Sequence, residues 1–93
     1  MMILSFRCPD TRAIFEGQRI ARFVNILSVV QRKLQLLDSA ATLGFLRSPP
    51  GNRLEQLAGD REGQHSIRIN NQWRICFIWT DNGPINVEIV DYH

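Results

Sequence analysis

The sequence has 93 residues, of which 44% are hydrophobic and 22% are charged, so it fits one domain and is too short for two. Eleven Lys and Arg against nine Asp and Glu leave a net charge of +2, which excludes a polybasic arm or an acidic tail. All basic residues except Lys33 are arginines, and the planar guanidinium group suits phosphate recognition and stacking on bases.

The cysteines and the N-terminal residues indicate no metal, disulfide, cofactor or membrane segment. Cys8 and Cys76 stand far apart, and there is no CxxC pair or Cys/His cluster at metal-ligand spacing. No apolar run approaches the roughly 18 residues of a membrane span, and residues 1–6 lack the pattern of a signal peptide. We therefore expect a cytoplasmic protein without a cofactor, whose two cysteines are reduced packing residues.

The first half of the chain predicts mainly helices. A short strand is predicted at 3–6, and the residues from Pro9 to Gly17 predict a short helix. From about Ile20 to Ala41, apolar residues recur at steps of three and four, which predicts a long amphipathic helix that lies on a sheet. A further helical turn is expected within 38–46, and the turn residues at 48–52 predict a loop.

The second half of the chain has the alternating pattern of β-strands. Apolar and polar residues alternate over 65–70, 73–80 and 85–92, which predicts three strands. Turn residues at 70–72 and 81–84 predict hairpin connections, so the strands are expected to be consecutive and antiparallel.

This order of elements predicts a single α+β domain over residues 1–93. Its N-terminal helices are expected to pack on one face of a small antiparallel sheet, which consists of the three-strand meander and the short N-terminal strand. The alternation places four polar residues on the opposite, open face: Arg68, Arg74, Glu88 and Tyr92.

The last three residues, Asp91-Tyr92-His93, place a carboxylate, a phenol and an imidazole side by side. An imidazole carries protons near neutral pH, and a neighbouring carboxylate can orient it and stabilise its cationic form. RNA cleavage by the 2′-hydroxyl group requires a base, an acid and a cation that stabilises the phosphorane charge. Arg74, on the strand next to the C-terminal strand, is the best-placed cation. From composition alone, the alternative of a polar chain end without a function is favoured.

Other polar and aromatic residues of the second half are predicted to be structural. His65 is expected to be a packed, hydrogen-bonded histidine. Trp73 and Trp79 are expected to be core aromatics, with base stacking as the alternative. The glycine-rich stretch at 57–64 predicts a turn before the meander rather than a phosphate-binding loop.

Five segments of the second half carry a specific resemblance. They read PPGNRLE at 49–55, GDREG at 59–63, SIRIN at 66–70, QWRICF at 72–77 and VEIVDYH at 87–93. Together they resemble the HigB-type plasmid maintenance killer proteins, the toxins of RelE-like type II toxin–antitoxin modules. The resemblance implies a RelE-like fold and a ribosome-dependent endoribonuclease that cleaves mRNA in the decoding site. It also implies neutralisation by a HigA-type helix-turn-helix antitoxin, in a complex expected to be 2:2 that binds operator DNA through the antitoxin.

The resemblance further implies roles for individual residues. Arg74 corresponds to the family's arginine that stabilises phosphate charge, and His93 to the proton-transfer group. Asp91 is implied as an orienting or co-catalytic carboxylate, and Tyr92 as a base-stacking or positioning group. RNA contacts are expected from arginines of the open face and of the loops that lead to it: Arg53, Arg61 and Arg68.

The chain departs from the family's pattern in the loop before the GDREG turn. Some ribosome-dependent members carry a histidine and a lysine there, whereas this chain has Glu55 and Ala58. Glu55 can accept a proton, and Arg53 or Arg61 can supply a phosphate contact, but an arginine cannot replace a histidine in proton transfer. A weaker or altered ribonuclease activity is therefore expected. Two alternatives remain open: a non-catalytic ribosome- or RNA-binding inhibitor of translation or ribosome assembly, and the corepressor half of a DNA-binding toxin–antitoxin complex.

Overall fold

Two α-helices form in the first half of the chain. The structure, a computed structural model, describes residues 2–91. Helix α1 spans Pro9–Phe15 and α2 spans Leu27–Ser39. A proline is well tolerated in the first turn of a helix, and Gly17, at a φ of 93°, follows the end of α1. The predicted short helix is confirmed.

The predicted continuous helix over 20–41 is wrong in its first turns. Residues Ala21–Ile26 form a 3-10 helix, and Phe23 has non-helical φ and ψ angles of −113° and 15°. The Phe23 ring is buried and meets Trp73 edge-on, with 5.2 Å between the ring centroids. Packing of Phe23 on the sheet therefore takes precedence over the helical periodicity, since helix propensity is a weak preference that tertiary contacts override.

The connection between the helices and the sheet contains two short 3-10 helices, Leu43–Arg47 and Pro50–Asn52. Thr42 caps the first of them, because its side-chain oxygen accepts a hydrogen bond from the backbone N–H of Phe45. The helical turn expected within 38–46 is thus present as a 3-10 helix.

The second half of the chain forms an antiparallel sheet of four strands. They are β1 (Glu55–Gln56), β2 (His65–Arg68), β3 (Trp73–Thr80) and β4 (Gly83–Asp91), and each pairs with the next in chain order. The predicted meander of three strands is confirmed. Strand β1 was not predicted, because two residues are too few to show an alternating pattern.

The N-terminal segment contributes less to the sheet than predicted. The strand expected at 3–6 is reduced to a single parallel bridge between Phe6 and Val87. The Leu4 N–H donates to the Pro84 carbonyl at 2.8 Å, and the Arg7 N–H donates to the Val87 carbonyl at 3.0 Å. Gly83 has a φ of 135°, and a Cβ at this position would collide with the Met2 carbonyl oxygen. The sheet's fourth strand is therefore β1, and the N-terminal segment lines the outer side of β4.

A bulge in β4 changes which side chains share a face. Cys76 pairs with Glu88, whereas Ile78 pairs with Ile85, so β4 has one more residue than β3 between these pairs. Asn86 has a φ of 55°, a left-handed conformation that asparagine tolerates better than most residues. As a result Ile85 lies on the open face beside Ile78, while Val87 is buried against the helices.

The core lies between the helices and one face of the sheet. Most of its fully buried side chains come from α1, from α2 and from three strands: Ile14, Val30, Leu34, Leu37, Ile67, Ile75, Phe77 and Val87. The predicted allocation of the alternating residues to the helix-facing side is confirmed for these positions of the sheet. Among residues 2–91, no helix is long and apolar enough to cross a membrane.

Candidate functional site

Arg74 lies on β3 at the open face and is the most enclosed arginine of the site. Its side chain retains only 8% of its exposure. The Nε–H group donates to the Ser66 hydroxyl at 2.7 Å, and Nη2 donates to the Arg53 carbonyl at 2.6 Å. A longer contact of 3.4 Å joins Nη2 to the Ser66 carbonyl. These acceptors hold the guanidinium plane in one orientation, because its donors form a rigid fork.

The carbonyl group that accepts the hydrogen bond from Arg74 Nη2 belongs to Arg53, which has an uncommon backbone conformation. Arg53 follows the 3-10 helix Pro50–Asn52 with φ and ψ angles of 45° and 58°. Few residues other than glycine adopt this left-handed conformation. It turns the chain so that the Arg53 carbonyl points towards Arg74 while the Arg53 side chain remains exposed.

A surface pocket of about 240 Å³ adjoins this arrangement, and we call it the arginine pocket. Arg68 and Arg74 are direct cross-strand partners on β2 and β3, so their side chains share the open face. Two asparagines of the β2–β3 turn complete the lining: Arg53, Arg68, Asn70, Asn71 and Arg74. Three guanidinium groups and two amides around one pocket favour a phosphate or a nucleotide as ligand.

The β2–β3 turn orients Arg68 within the arginine pocket. The Arg68 Nε–H group donates to the Asn70 carbonyl at 3.2 Å, and its Nη2 donates to the Asn71 side-chain oxygen. The Asn70 side chain in turn accepts hydrogen bonds at 2.8 Å from the backbone N–H groups of Gln72 and Trp73. Arg68 is therefore preorganised by its own hairpin.

Glu55 is the acidic residue beside the arginine pocket. It lies in β1, opposite Ser66 of β2, and its Oε2 is 3.8 Å from Arg74 Nη2. The Glu55 side chain is 51% exposed, so this ion pair contributes little to stability. Its position leaves a carboxylate facing solvent next to the buried guanidinium group, where it could accept a proton from a ligand.

Arg61 lies in a second charged cluster rather than in the arginine pocket. Its Nη1 donates to Glu88 Oε1 at 2.8 Å and to Gln64 Oε1 at 3.1 Å. Arg7 approaches the same Glu88 oxygen at 3.8 Å. Of the three arginines predicted to contact RNA, the structure brings Arg53 and Arg68 to the pocket and places Arg61 beside Glu88.

Cys76 lies between the two clusters, at the centre of the open face. It pairs with Ser66 on one side and with Glu88 on the other, and it is fully buried. Burial raises the pKa of the Cys76 thiol, Arg61 and Arg74 oppose this shift and Glu88 adds to it. The thiol is therefore protonated at neutral pH, and both cysteines are free, which agrees with the predicted packing role.

Asp91 lies at the end of β4, beyond the row that contains Arg74. Its cross-strand partner is Trp73, whereas the partner of Arg74 is Val90, so the alternation directs Asp91 and Arg74 to opposite faces. The Gln72 amide donates to Asp91 Oδ2 at 3.2 Å. The other two residues predicted at the C-terminal site, Tyr92 and His93, lie outside the described residues.

His65, Trp73 and Trp79, which the sequence predicts to be structural, pack on core residues. Trp73 and Trp79 are half-buried against the core, as predicted. His65 packs on the Phe77 ring with a centroid distance of 6.3 Å. The expected hydrogen bonding of His65 is not complete, since its Nδ1 is buried and has no partner within residues 2–91.

Sequence reasoning missed Ser66 and the carbonyl of Arg53, the two groups that orient Arg74. Ser66 could have been found from the alternation, because it shares the open face with Arg68. The Arg53 carbonyl gives no sequence signal, since any residue carries one. Within the described part of the chain, no group of three or more His, Cys, Asp or Glu residues could hold a metal ion.

Comparisons with known proteins place these residues in a family. A family model for HigB-like toxins, described as the RelE-like toxin of the type II toxin–antitoxin system HigB, matches residues 12–93. Toxin HigB-1 of Vibrio cholerae is 38% identical over 87 residues, which cover 91% of this chain and 92% of that protein. Endoribonuclease HigB of Proteus vulgaris is 31% identical over 93 residues, covering 99% of this chain and 100% of the relative.

A solved structure has the same fold at much lower sequence identity. A chain of the YoeB-YefM complex from Staphylococcus aureus superimposes with a TM-score of 0.61 and 17% identity. The match covers 100% of this chain and 99% of that chain. At this identity the likeness concerns the fold alone.

Proposed function

The chain belongs to the HigB-like family of RelE-like toxins of type II toxin–antitoxin systems, and we propose that it cleaves mRNA held in the decoding site of the ribosome. It is a type II toxin with endoribonuclease activity, the activity for which the Proteus vulgaris relative is named. The ribosome as the site of action and mRNA as the substrate are our extension of that activity. They imply that the toxin acts in the cytoplasm, where it inhibits translation and growth.

The observation that carries the proposal is the enclosed Arg74 at the edge of a pocket lined by two further arginines. A guanidinium group held by fixed acceptors needs no reorganisation when charge develops on a phosphate. Such preorganised groups are the largest single source of rate enhancement in many enzymes. Arg53 and Arg68 line the same pocket and would hold the flanking phosphates.

In the proposed reaction, the 2′-oxygen of the ribose attacks the adjacent phosphorus while the bond to the 5′-oxygen breaks. The products are a 2′,3′-cyclic phosphate and a 5′-hydroxyl end. One group must take the proton of the 2′-hydroxyl, and another must donate a proton to the leaving 5′-oxygen. Arg74 stabilises the negative charge that develops on the phosphorane-like transition state during these proton transfers.

We assign proton transfer to His93 and to Glu55. The support for Glu55 is its carboxylate, 3.8 Å from the guanidinium group and half exposed. His93 and Tyr92 follow Asp91 directly, and the support for them is the family motif VDYH at 90–93. Tyr92 is assigned to base stacking or positioning, and Asp91 to the orientation of His93.

The proposal is tested by mapping the 5′ ends of a defined mRNA in a reconstituted translation system. New in-frame ends are expected with toxin and ribosomes together, and none with naked mRNA. The Arg74→Met variant is expected to cleave about 10²- to 10³-fold more slowly, because it loses the preorganised charge. Arg32→Met, which removes an exposed charge of α2, serves as the matched control and should cleave normally.

Three results would overturn parts of the proposal. Equal cleavage of naked mRNA would show that the ribosome is not required. Slowed translation without new ends would indicate the non-catalytic binder. His93→Ala should likewise abolish mRNA cleavage and growth inhibition, and full toxicity of this variant would remove His93 from the mechanism.

An antitoxin is the partner of a type II toxin, and we propose that this one is a helix-turn-helix protein of the HigA type. We further propose a 2:2 complex that binds operator DNA through the antitoxin. The complex should shift operator DNA while the toxin alone should not, and its mass in solution gives the stoichiometry. A short helix-turn-helix protein encoded next to this chain is expected, and its absence would contradict the partner assignment.

A further inference from the structure

A buried polar network joins α2 to the loop that ends at Arg53. Lys33 is the one lysine of the sequence, and on α2 it is only 9% exposed. Its Nζ donates a hydrogen bond to the side-chain oxygen of Asn52, which is fully buried. Burial lowers the pKa of the Lys33 amine, and the nearby Arg32 charge lowers it further. A buried amine of this kind is costly, so its retention calls for an explanation.

The Asn52 side chain connects α2 to the loop before the sheet. Its Nδ2 donates to the Leu46 carbonyl and to the Ser48 carbonyl, each at 3.2 Å. The Asn52 amide group thus joins Lys33 of α2 to the beginning of the 46–52 segment. The backbone N–H of Asn52 donates to the Pro49 carbonyl at 2.9 Å, and this hydrogen bond closes the turn at 49–52.

The next residue along the chain is Arg53, whose carbonyl accepts the 2.6 Å hydrogen bond from Arg74. Arg53 has the left-handed backbone conformation described above, which a non-glycine residue keeps only when its surroundings fix it. The hydrogen bonds of the Asn52 side chain hold in place the residue that directly precedes Arg53. The contacts therefore run without interruption from Lys33 through Asn52 and Arg53 to the guanidinium group of Arg74.

We infer that Lys33 and Asn52 are positioning residues for Arg74, and that they act by holding the Arg53 carbonyl in place. Neither residue lines the arginine pocket. The inference rests on the proposed role of Arg74 in mRNA cleavage. Loss of either residue releases the 46–53 segment, so the Arg53 carbonyl moves and the guanidinium group loses its orientation. Misplacement of a catalytic group by about 1 Å can lower a rate 10²-fold.

The test is a single-turnover cleavage assay on programmed ribosomes, combined with a measurement of toxin–ribosome affinity. For Lys33→Met and for Asn52→Ser, the cleavage rate constant is expected to fall about 10- to 100-fold while affinity stays within about twofold. Lys33→Gln retains an N–H donor for Asn52 and should recover part of the rate. The control Arg32→Met removes a charge from the adjacent, exposed position of α2 and should change neither quantity.

The effects must also depend on Arg74. In an Arg74→Met background, adding Lys33→Met or Asn52→Ser should lower the residual cleavage rate less than twofold, since there is no guanidinium group left to position. An undiminished 10- to 100-fold effect in that background would overturn the inference. Rates for folded Lys33→Met and Asn52→Ser that equal those of the wild type would also overturn it.

Folding is checked for each variant by circular dichroism and thermal melting. Should Lys33→Met not fold, Asn52→Ser and Lys33→Gln carry the same test, since each alters the network less. Failure of the proposed function gives a different result. In that case Arg74→Met itself would cleave at the wild-type rate, whereas failure of this inference alone leaves Arg74 essential and Lys33 dispensable.

Discussion

At the scale of single residues, the candidate site centres on Arg74, an arginine that is buried although it lines a surface pocket. Burial of a charged group is tolerated only when hydrogen-bond acceptors surround it, and Arg74 has Ser66, Arg53 and Glu55 for this purpose. The alternation of β3 predicts which face Arg74 occupies. Of its acceptors, the Ser66 hydroxyl follows from the alternation of β2, whereas the Arg53 carbonyl could not be predicted, because it is a backbone group brought close by a loop.

Glu55 and Ala58 stand where some ribosome-dependent members of the resembled family are expected to carry a histidine and a lysine, and introducing those two residues is predicted to raise activity. The double variant Glu55→His, Ala58→Lys is expected to raise the single-turnover cleavage rate, by up to about 10²-fold for each group that acts in proton transfer or charge stabilisation. The expected gain follows from the position of residue 55, because Glu55 Oε2 lies 3.8 Å from Arg74 Nη2. Unchanged cleavage on programmed ribosomes would mean that this loop does not limit the chemistry.

The buried thiol of Cys76 predicts a specific dependence of stability on pH. Its pKa is raised from the ordinary value of 9.0 in the folded state. Above pH 9.0 the unfolded chain therefore releases the thiol proton while the folded protein retains it. The unfolding free energy of the wild type should then fall with rising pH relative to that of Cys76→Ala. Urea unfolding at pH 8 and pH 10 measures this difference.

The comparison with Cys76→Ala isolates one group, because all other titrations are common to both proteins. The matching change at the other cysteine, Cys8→Ala, supplies a second reference. Identical pH dependence of the wild type and of Cys76→Ala would show that the thiol's environment does not disfavour its charged form.

At the scale of elements, the strands were predicted well because each of the three has enough residues to show its period. Residues 65–70, 73–80 and 85–92 were expected as strands, and His65–Arg68, Trp73–Thr80 and Gly83–Asp91 are observed. The elements that differ are those whose form depends on contacts distant in sequence. The 3-10 helix at Ala21–Ile26 follows from the burial of Phe23, and the bulge at Asn86 has no periodic signal.

One hydrogen bond between elements allows the packing of α1 on the sheet to be tested. The Thr11 hydroxyl, fully buried on α1, accepts a hydrogen bond of 3.1 Å from the backbone N–H of Ile89. Thr11→Val leaves that N–H buried and unpaired, and we expect a loss of about 1–3 kcal/mol in the free energy of unfolding. Thr11→Ser keeps the hydroxyl and should lose less. Equal losses for the two variants in urea unfolding would assign the effect to packing instead.

At the scale of the whole molecule, the distribution of charge matters more than its sum. The net charge of +2 is small for a protein that handles RNA. Glu88 offsets part of the positive charge, because it forms an ion pair with Arg61 and lies near Arg7. Arg53 and Arg68 instead line the arginine pocket. A modest overall charge would suit the proposed action on RNA already bound to the ribosome, since it limits capture by other nucleic acids.

The pocket arginines should account for the salt dependence of RNA binding. For a fluorescent single-stranded oligoribonucleotide, Arg68→Ala is expected to reduce the slope of log Kobs against log salt by about 0.7, the value for one phosphate contact. Arg32→Ala on the exposed side of α2 should leave the slope unchanged. A wild-type slope for Arg68→Ala in anisotropy titrations would exclude this side chain from phosphate binding.

The two edges of the sheet bear on how the free toxin behaves in solution. On one edge, β1 has two exposed residues, one of them charged, which is a short template for another strand. On the other edge, the backbone of residues 4–7 hydrogen-bonds to β4. The Thr11 hydroxyl accepts a hydrogen bond from the Ile89 N–H group of the same strand. Exposed strand edges are the usual starting points of aggregation. A short β1 edge and a β4 edge covered by the N-terminal segment should therefore limit strand-to-strand association of the toxin when no partner is bound.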